Sequence, residues 1–154
     1  MELERQLQIL IDDAAKHGIA PVVIERAIAP VLNLFARQLK HLEYYILQNL
    51  DEQWVLFTIS DRQQVKPDRQ VIYAFPTLQD AGNFQGSKDP SILATAIPVT
   101  HILFQLISLK PVESIIFLEQ PGNLNAGTRV ERNTLQNSIQ QQIQNLNNTP
   151  SNIA

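Results

Sequence analysis

The sequence predicts an α+β domain, built as an N-terminal helical pair and an antiparallel β-meander extended by alternating helices and strands into one mixed sheet with helices packed on it. Three observations carry this prediction. Apolar residues recur at helical spacing through roughly the first 40 residues. Three short runs rich in aromatic and β-branched residues then follow, with turn-like links between them. Beyond them, helical and strand patterns alternate to a closing helix.

The elements follow in order. Over residues 2–17, Leu3, Leu7, Leu10, Ile11 and Ala14 fall on one helical face, and Gly18 supplies a stop. A second helical region runs from Pro21 to about Lys40, with the stripe Ile24, Ile28, Val31, Leu32, Phe35 and Leu39. Pro30 lies inside it, so the region must kink or restart there, with Pro30 at the first helical position. Glu43 to Leu47, Gln53 to Ile59 and Gln70 to Phe75 read as strands. The first two are joined by a link short enough for a hairpin, the last two by the longer polar loop Ser60 to Arg69.

Thr77 followed by Asp80 resembles a helix cap, opening a short helix with Leu78, Ala81 and Phe84 inward. Gly86 to Pro90 reads as a loop and Leu93 to Ile97 as a short strand. Pro98 fits the start of a helix whose buried stripe is Val99, Ile102, Leu103, Leu106 and Ile107. Val112 to Glu119 is apolar on both faces and is the predicted central strand. Pro121-Gly122 and Asn125-Ala126-Gly127 mark turns. Asn133, with Gln136 three residues on, caps a last helix carrying Leu135, Ile139, Ile143 and Leu146. Residues 1–147 are therefore expected to form a single domain, with 1–40 as a helical extension, 41–147 as sheet and helices, and 148–154 as a disordered tail.

Composition narrows the functional classes. The chain has 154 residues, 44% of them hydrophobic and 18% charged, which is globular usage. With no cysteine there is no disulfide, thiolate metal site or cysteine nucleophile. The acidic start, with Glu2, Glu4, Asp12 and Asp13, does not suit a signal peptide, and no apolar run reaches the ~20 residues of a membrane span. The expectation is a soluble, cytoplasmic protein with no membrane partner. Net charge is −3, and the densest basic group, Arg62, Lys66 and Arg69, is interrupted by Asp61 and Asp68. Nucleic acid is therefore not an expected partner. Asn and Gln are plentiful toward the end, and no residue beyond Arg132 carries a side-chain charge.

No motif announces chemistry. The three histidines, His17, His41 and His101, lack the spacing of a metal site, so neither a metal nor a cofactor is expected. No Gly-x-Ser-x-Gly, phosphate loop or dinucleotide-binding glycine pattern occurs. Two functional readings remain. The first is a non-catalytic interaction or regulatory module, acting as a homodimer or assembly subunit, with the apolar stripe Leu3, Leu7, Leu10, Ile11, Ile24 and Ile28 as its interaction surface. Under that reading, replacing Leu7 and Ile11 by Glu weakens association and leaves the meander folded. The same stripe could instead cover one face of the sheet. The second functional reading is a small enzyme or ligand binder, with a site near His101 and Glu119, the latter at a strand end beside a turn.

Some local wording carries a resemblance. Val71-Ile72-Tyr73-Ala74-Phe75-Pro76-Thr77-Leu78, followed by Ala81 and Phe84, looks like a strand that enters a short aromatic helix. Ala96-Ile97-Pro98 leads into the helix ending Leu106-Ile107, and the strand Ser114 to Leu118 is followed by a turn and Arg129-Val130-Glu131 before the closing helix. In these places residues 31–147 resemble the SseB-like domain, the N-terminal domain family of the enhanced serine sensitivity protein. The resemblance implies the fold and supplies no catalytic residue.

Overall fold

Six strands make one mixed sheet in a computed structural model that describes residues 1–60, 63, 67–85 and 89–148. The strands are β1 (Glu43–Gln48), β2 (Phe57–Ile59), β3 (Arg69–Phe75), β4 (Leu93–Pro98), β5 (Val112–Leu118) and β6 (Gly127–Glu131). The helices are α1 (Leu3–Asp12), α2 (Pro21–Val23), α3 (Ala29–Arg37), α4 (Leu78–Gln85), α5 (Val99–Ser108) and α6 (Arg132–Asn148). The α+β class and the packing of helices on a mixed sheet are as the sequence predicts. The expected tail from 149 onward, most of the loop 60–69 and residues 86–88 of the loop 86–90 lie outside the described residues.

The strand order is β4-β1-β3-β5-β6, and β3 and β5 run parallel while the other pairs are antiparallel. The first three strands pair antiparallel but not in the order of a simple meander. β1 lies directly beside β3 through Tyr45 and Ile46, opposite Phe75 and Ala74. β2 occupies the other end of the same β3 edge, with Phe57 opposite Val71. The predicted strand from Gln53 is thus reduced to three residues, preceded by a lone bridge between Trp54 and Gln48 that closes the turn from β1. β5 is interior, as its two-sided apolar pattern requires, but β3 holds the central place. β6 falls in a stretch whose charges and glycine hide its strand character from the sequence.

Nearly all the helical mass lies on one face. Ile72, Ala74, Ile115 and Phe117 from the sheet join Leu10, Ile24, Leu32, Leu103, Leu106 and Leu135 from the helices in one core. The first predicted helix ends at Asp12, continues as a 3-10 turn over Ala14–His17 and stops at Gly18, whose φ of 68° is the left-handed cap that glycine favours.

The second helical region runs without a break from Pro21 to Arg37, and its interior is a π-helical stretch, Ile24–Ile28. Pro30 is the second residue of α3 and not the first. It has no N–H to give the Arg26 carbonyl four residues back, and that oxygen accepts instead from Gln142 Nε2 on α6 at 3.2 Å.

Among the described residues, the opposite face carries α4 alone. Its start is the predicted cap: the Thr77 hydroxyl donates to Asp80 Oδ2 at 2.8 Å and accepts from the Asp80 N–H at 3.1 Å. Ala81 is fully buried against Phe75, Leu47 and Leu118. Leu78, expected inward, is 57% exposed, because Ala81 and Phe84 take the sheet-facing positions.

Candidate functional site

The stripe predicted as an interaction surface is consumed by the fold. Leu10, Ile24 and Ile28 are buried in the main core, and Leu3, Leu7 and Ile11 pack against it. The stripe thus has a covering role within the chain, where α1 packs on the neighbouring helices α3 and α5, while Leu3, Leu7 and Ile11 keep part of their surface open. α1 is held there by a polar contact as well as by its leucines. Gln6, fully buried, donates from Nε2 to the Met1 carbonyl at 2.8 Å and to the Leu42 carbonyl at 2.9 Å. Its Oε1 accepts from the Thr100 N–H at 3.1 Å and from the Thr100 hydroxyl at 2.8 Å. All four bonds agree on which end of the amide is oxygen.

His101 and Glu119, paired by the alternative reading, hold different partners. His101 Nε2 donates to the Gln6 carbonyl at 3.1 Å, so the half-buried ring ties α5 to α1. Glu119 closes β5 and is buried. One carboxylate oxygen accepts from the Tyr44 hydroxyl and the other from the Lys40 N–H at 2.8 Å. Its carbonyl accepts from His41 Nε2 at 2.8 Å. The two side-chain oxygens therefore staple the start of β1 and the link that precedes it to the end of β5. Burial, and then the bond to Glu119 and its negative charge, raise the Tyr44 phenol well above its ordinary range. The phenol stays neutral and keeps donating.

The cavities that open among the described residues include four that neither His101 nor Glu119 lines. One of about 250 Å³ lies between Ile19, Ile28 and the α5 residues Phe104 and Ile107, with His17 edge-on to Phe104 at 4.9 Å. A second, of about 340 Å³, lies between Trp54 and Leu56 on one side and Leu109 and Pro111 on the other. A third, of about 220 Å³, separates Val22 and Val23 from Ile143 and Leu146. Leu146 ends the predicted stripe of the last helix and is 40% exposed there. The fourth, of about 300 Å³, is polar, with Arg69, Lys110 and Arg132 set beside Asp68 and Glu113. No group of three or more His, Asp and Glu that could hold a metal occurs among the described residues.

The thinly covered sheet face is the feature that sequence reasoning missed. Register places Val71, Tyr73 and Phe75 of β3 on it beside Ser114, Ile116 and Leu118 of β5. Phe57 and Phe84 complete an aromatic cluster with Tyr73, at ring separations of 4.9–5.3 Å. Phe57, Tyr73, Phe84 and Ile116 are all only half-buried. Next to them Glu113 bridges Arg69 at 3.5 Å and Arg129 at 3.7 Å. The signal was present in the alternation Val71-Tyr73-Phe75, but the size of the helical cover is a tertiary property that no single segment encodes.

No helix among the described residues is long and apolar enough to cross a membrane. The chain matches no protein-family model, and a search of curated proteins returned no match either.

Proposed function

We propose that this chain is a non-catalytic interaction or regulatory module, working as a homodimer or as a subunit of an assembly. The observation that carries the reading is the lopsided cover of the sheet. One face is packed by the N-terminal helices, α5 and α6, while the other has one eight-residue helix and a half-open aromatic cluster. Aromatic side chains beside a polar rim are the composition of an interface centre, here Phe57, Tyr73 and Phe84 with Arg69, Glu113 and Arg129 around them. Leu78 extends the apolar area into solvent.

The test is affinity capture of the tagged full chain from its own cells, with the retained proteins identified by mass spectrometry and the mass of the purified chain measured in solution. The reading expects a stoichiometric partner, or copies of the chain itself. It also expects Leu78→Glu to reduce retention by about tenfold while the fold is unchanged, since Leu78 is exposed on the open face. A monomer that retains nothing overturns it and turns attention to small ligands at the 250 Å³ cavity beside His17.

We also propose that residues 31–147 are SseB-like. Support comes from the places where the resembling segments fall: Phe75 to Leu78 joins β3 to α4, Pro98 joins β4 to α5, and Arg129 to Glu131 leads through β6 into α6.

A further inference from the structure

We infer that β4 is an interface strand, through which two copies of this chain join edge to edge, antiparallel, into one continuous sheet. The inference rests on the reading of the chain as an interaction module and names its partner as a second copy. β4 pairs with β1 over all six of its residues, Glu43 opposite Pro98 through Gln48 opposite Leu93, with no bulge. It ends the strand order, and its outer edge faces no other strand among the described residues. Leu93, Thr95 and Ala96 are exposed, Leu93 by 55%. An edge of this kind presents unpaired N–H and C=O groups, and proteins normally blunt it with charge, proline or a bulge.

The two ends of this sheet are treated differently. The other edge strand, β6, has five residues, and two of them are Arg129 and Glu131. β4 has no charge, and its proline stands at the last position, Pro98. The neutrality extends further, since residues 90–109 contain no Asp, Glu, Lys or Arg in a chain that is 18% charged with a net charge of −3. Two copies with like net charge repel, and this is the stretch where they meet without opposing like charges.

The strand also complements itself. With Thr95 opposite Thr95 of the second copy, Ala94 meets Ala96 and Leu93 meets Ile97, so small faces small and large faces large. Threonine opposite threonine and aliphatic opposite aliphatic are favourable cross-strand pairs. Pro98 ends the pairing because it has no N–H. The two-fold axis of this arrangement is perpendicular to the sheet. It places both open aromatic faces on the same side, giving a third partner one surface of double width.

The chain contains no cysteine, which makes the register directly testable on the whole chain. A Thr95→Cys variant should form a disulfide-linked dimer under mild oxidation, since residues directly opposite in an antiparallel pair lie within disulfide reach. Thr128→Cys on β6 should not. Thr95→Lys should weaken the dimer by about tenfold in sedimentation equilibrium, with circular dichroism and melting unchanged. A parent dimer that survives Thr95→Lys, or a Thr95→Cys variant that cross-links no faster than Thr128→Cys, overturns the β4 interface and leaves the module reading standing. A parent monomer that captures a different protein does the same. A parent monomer that captures nothing overturns both.

Discussion

Tyr44 and Glu119 are 75 residues apart in sequence and share one hydrogen bond in the interior. The Tyr44 side chain packs edge-on to Phe117 at 4.9 Å, which fixes the ring while its hydroxyl points at the carboxylate. Removing the hydroxyl leaves a buried carboxylate one donor short, so Tyr44→Phe should cost about 1–3 kcal/mol in denaturant unfolding. The pair also sets an alkaline limit. The folded phenol titrates far above the unfolded value of about 10, so the folded state retains a proton that the unfolded chain releases. That contribution is complete below about pH 10 and is lost as pH rises beyond it. Denaturant melts across this range should show stability falling more steeply in the parent than in Tyr44→Phe. Parallel slopes would mean that Tyr44 does not hold the proton. The sequence marked Glu119 from its place at a strand end, but its partners come from the start of β1 and the link before it, 75 or more residues earlier. No local pattern could have named them.

At the scale of elements, the helical region around Pro30 shows what periodicity conveys and what it omits. The stripe of Ile24, Ile28, Val31 and Leu32 was legible because burial on one side imposes the spacing. The π-helical stretch was not, since a local change in hydrogen-bond register leaves the apolar pattern nearly intact. Nor was the fate of the Arg26 carbonyl, which depends on a side chain 116 residues away. Gln142→Ala should cost about 0.5–1 kcal/mol in the parent, and less in a Pro30→Ala background, where residue 30 regains an N–H for that carbonyl. A double-mutant cycle measures the difference. Equal costs in both backgrounds would separate Gln142 from the proline. Strands with strong alternation, β1 and β3, fall within a residue of their expected limits, whereas β2 shrinks because β1 already occupies part of the same edge.

For the whole molecule, the same physics that made the N-terminal stripe visible made its purpose ambiguous. An apolar helix face looks alike in sequence whether it covers the chain's own sheet or another chain. The two roles predict different behaviour in the Leu7→Glu, Ile11→Glu double variant. Because both side chains pack against the main core, the charges should lower stability by about 3–5 kcal/mol. Association through any other surface should change only as far as folding is lost. Thermal melting and solution mass on the same samples decide it. Full stability with loss of association would restore the stripe as a docking surface. The openness of the second sheet face was not legible for a related reason, since alternation marks the face but not how little the small α4 covers it.

The anchoring of α1 has a temporal side. Gln6 is bound to Thr100 and His101, 94 and 95 residues further along. At a synthesis rate of 5–20 residues per second, those partners follow Gln6 by roughly 5–20 s. During that interval α1 has its apolar face ready and no α5 to receive it. α1 is thus made well before it can be secured, and a nascent chain stalled before residue 100 would carry Leu3, Leu7 and Leu10 bare. For this protein, the vulnerable moment belongs to translation rather than to the finished fold.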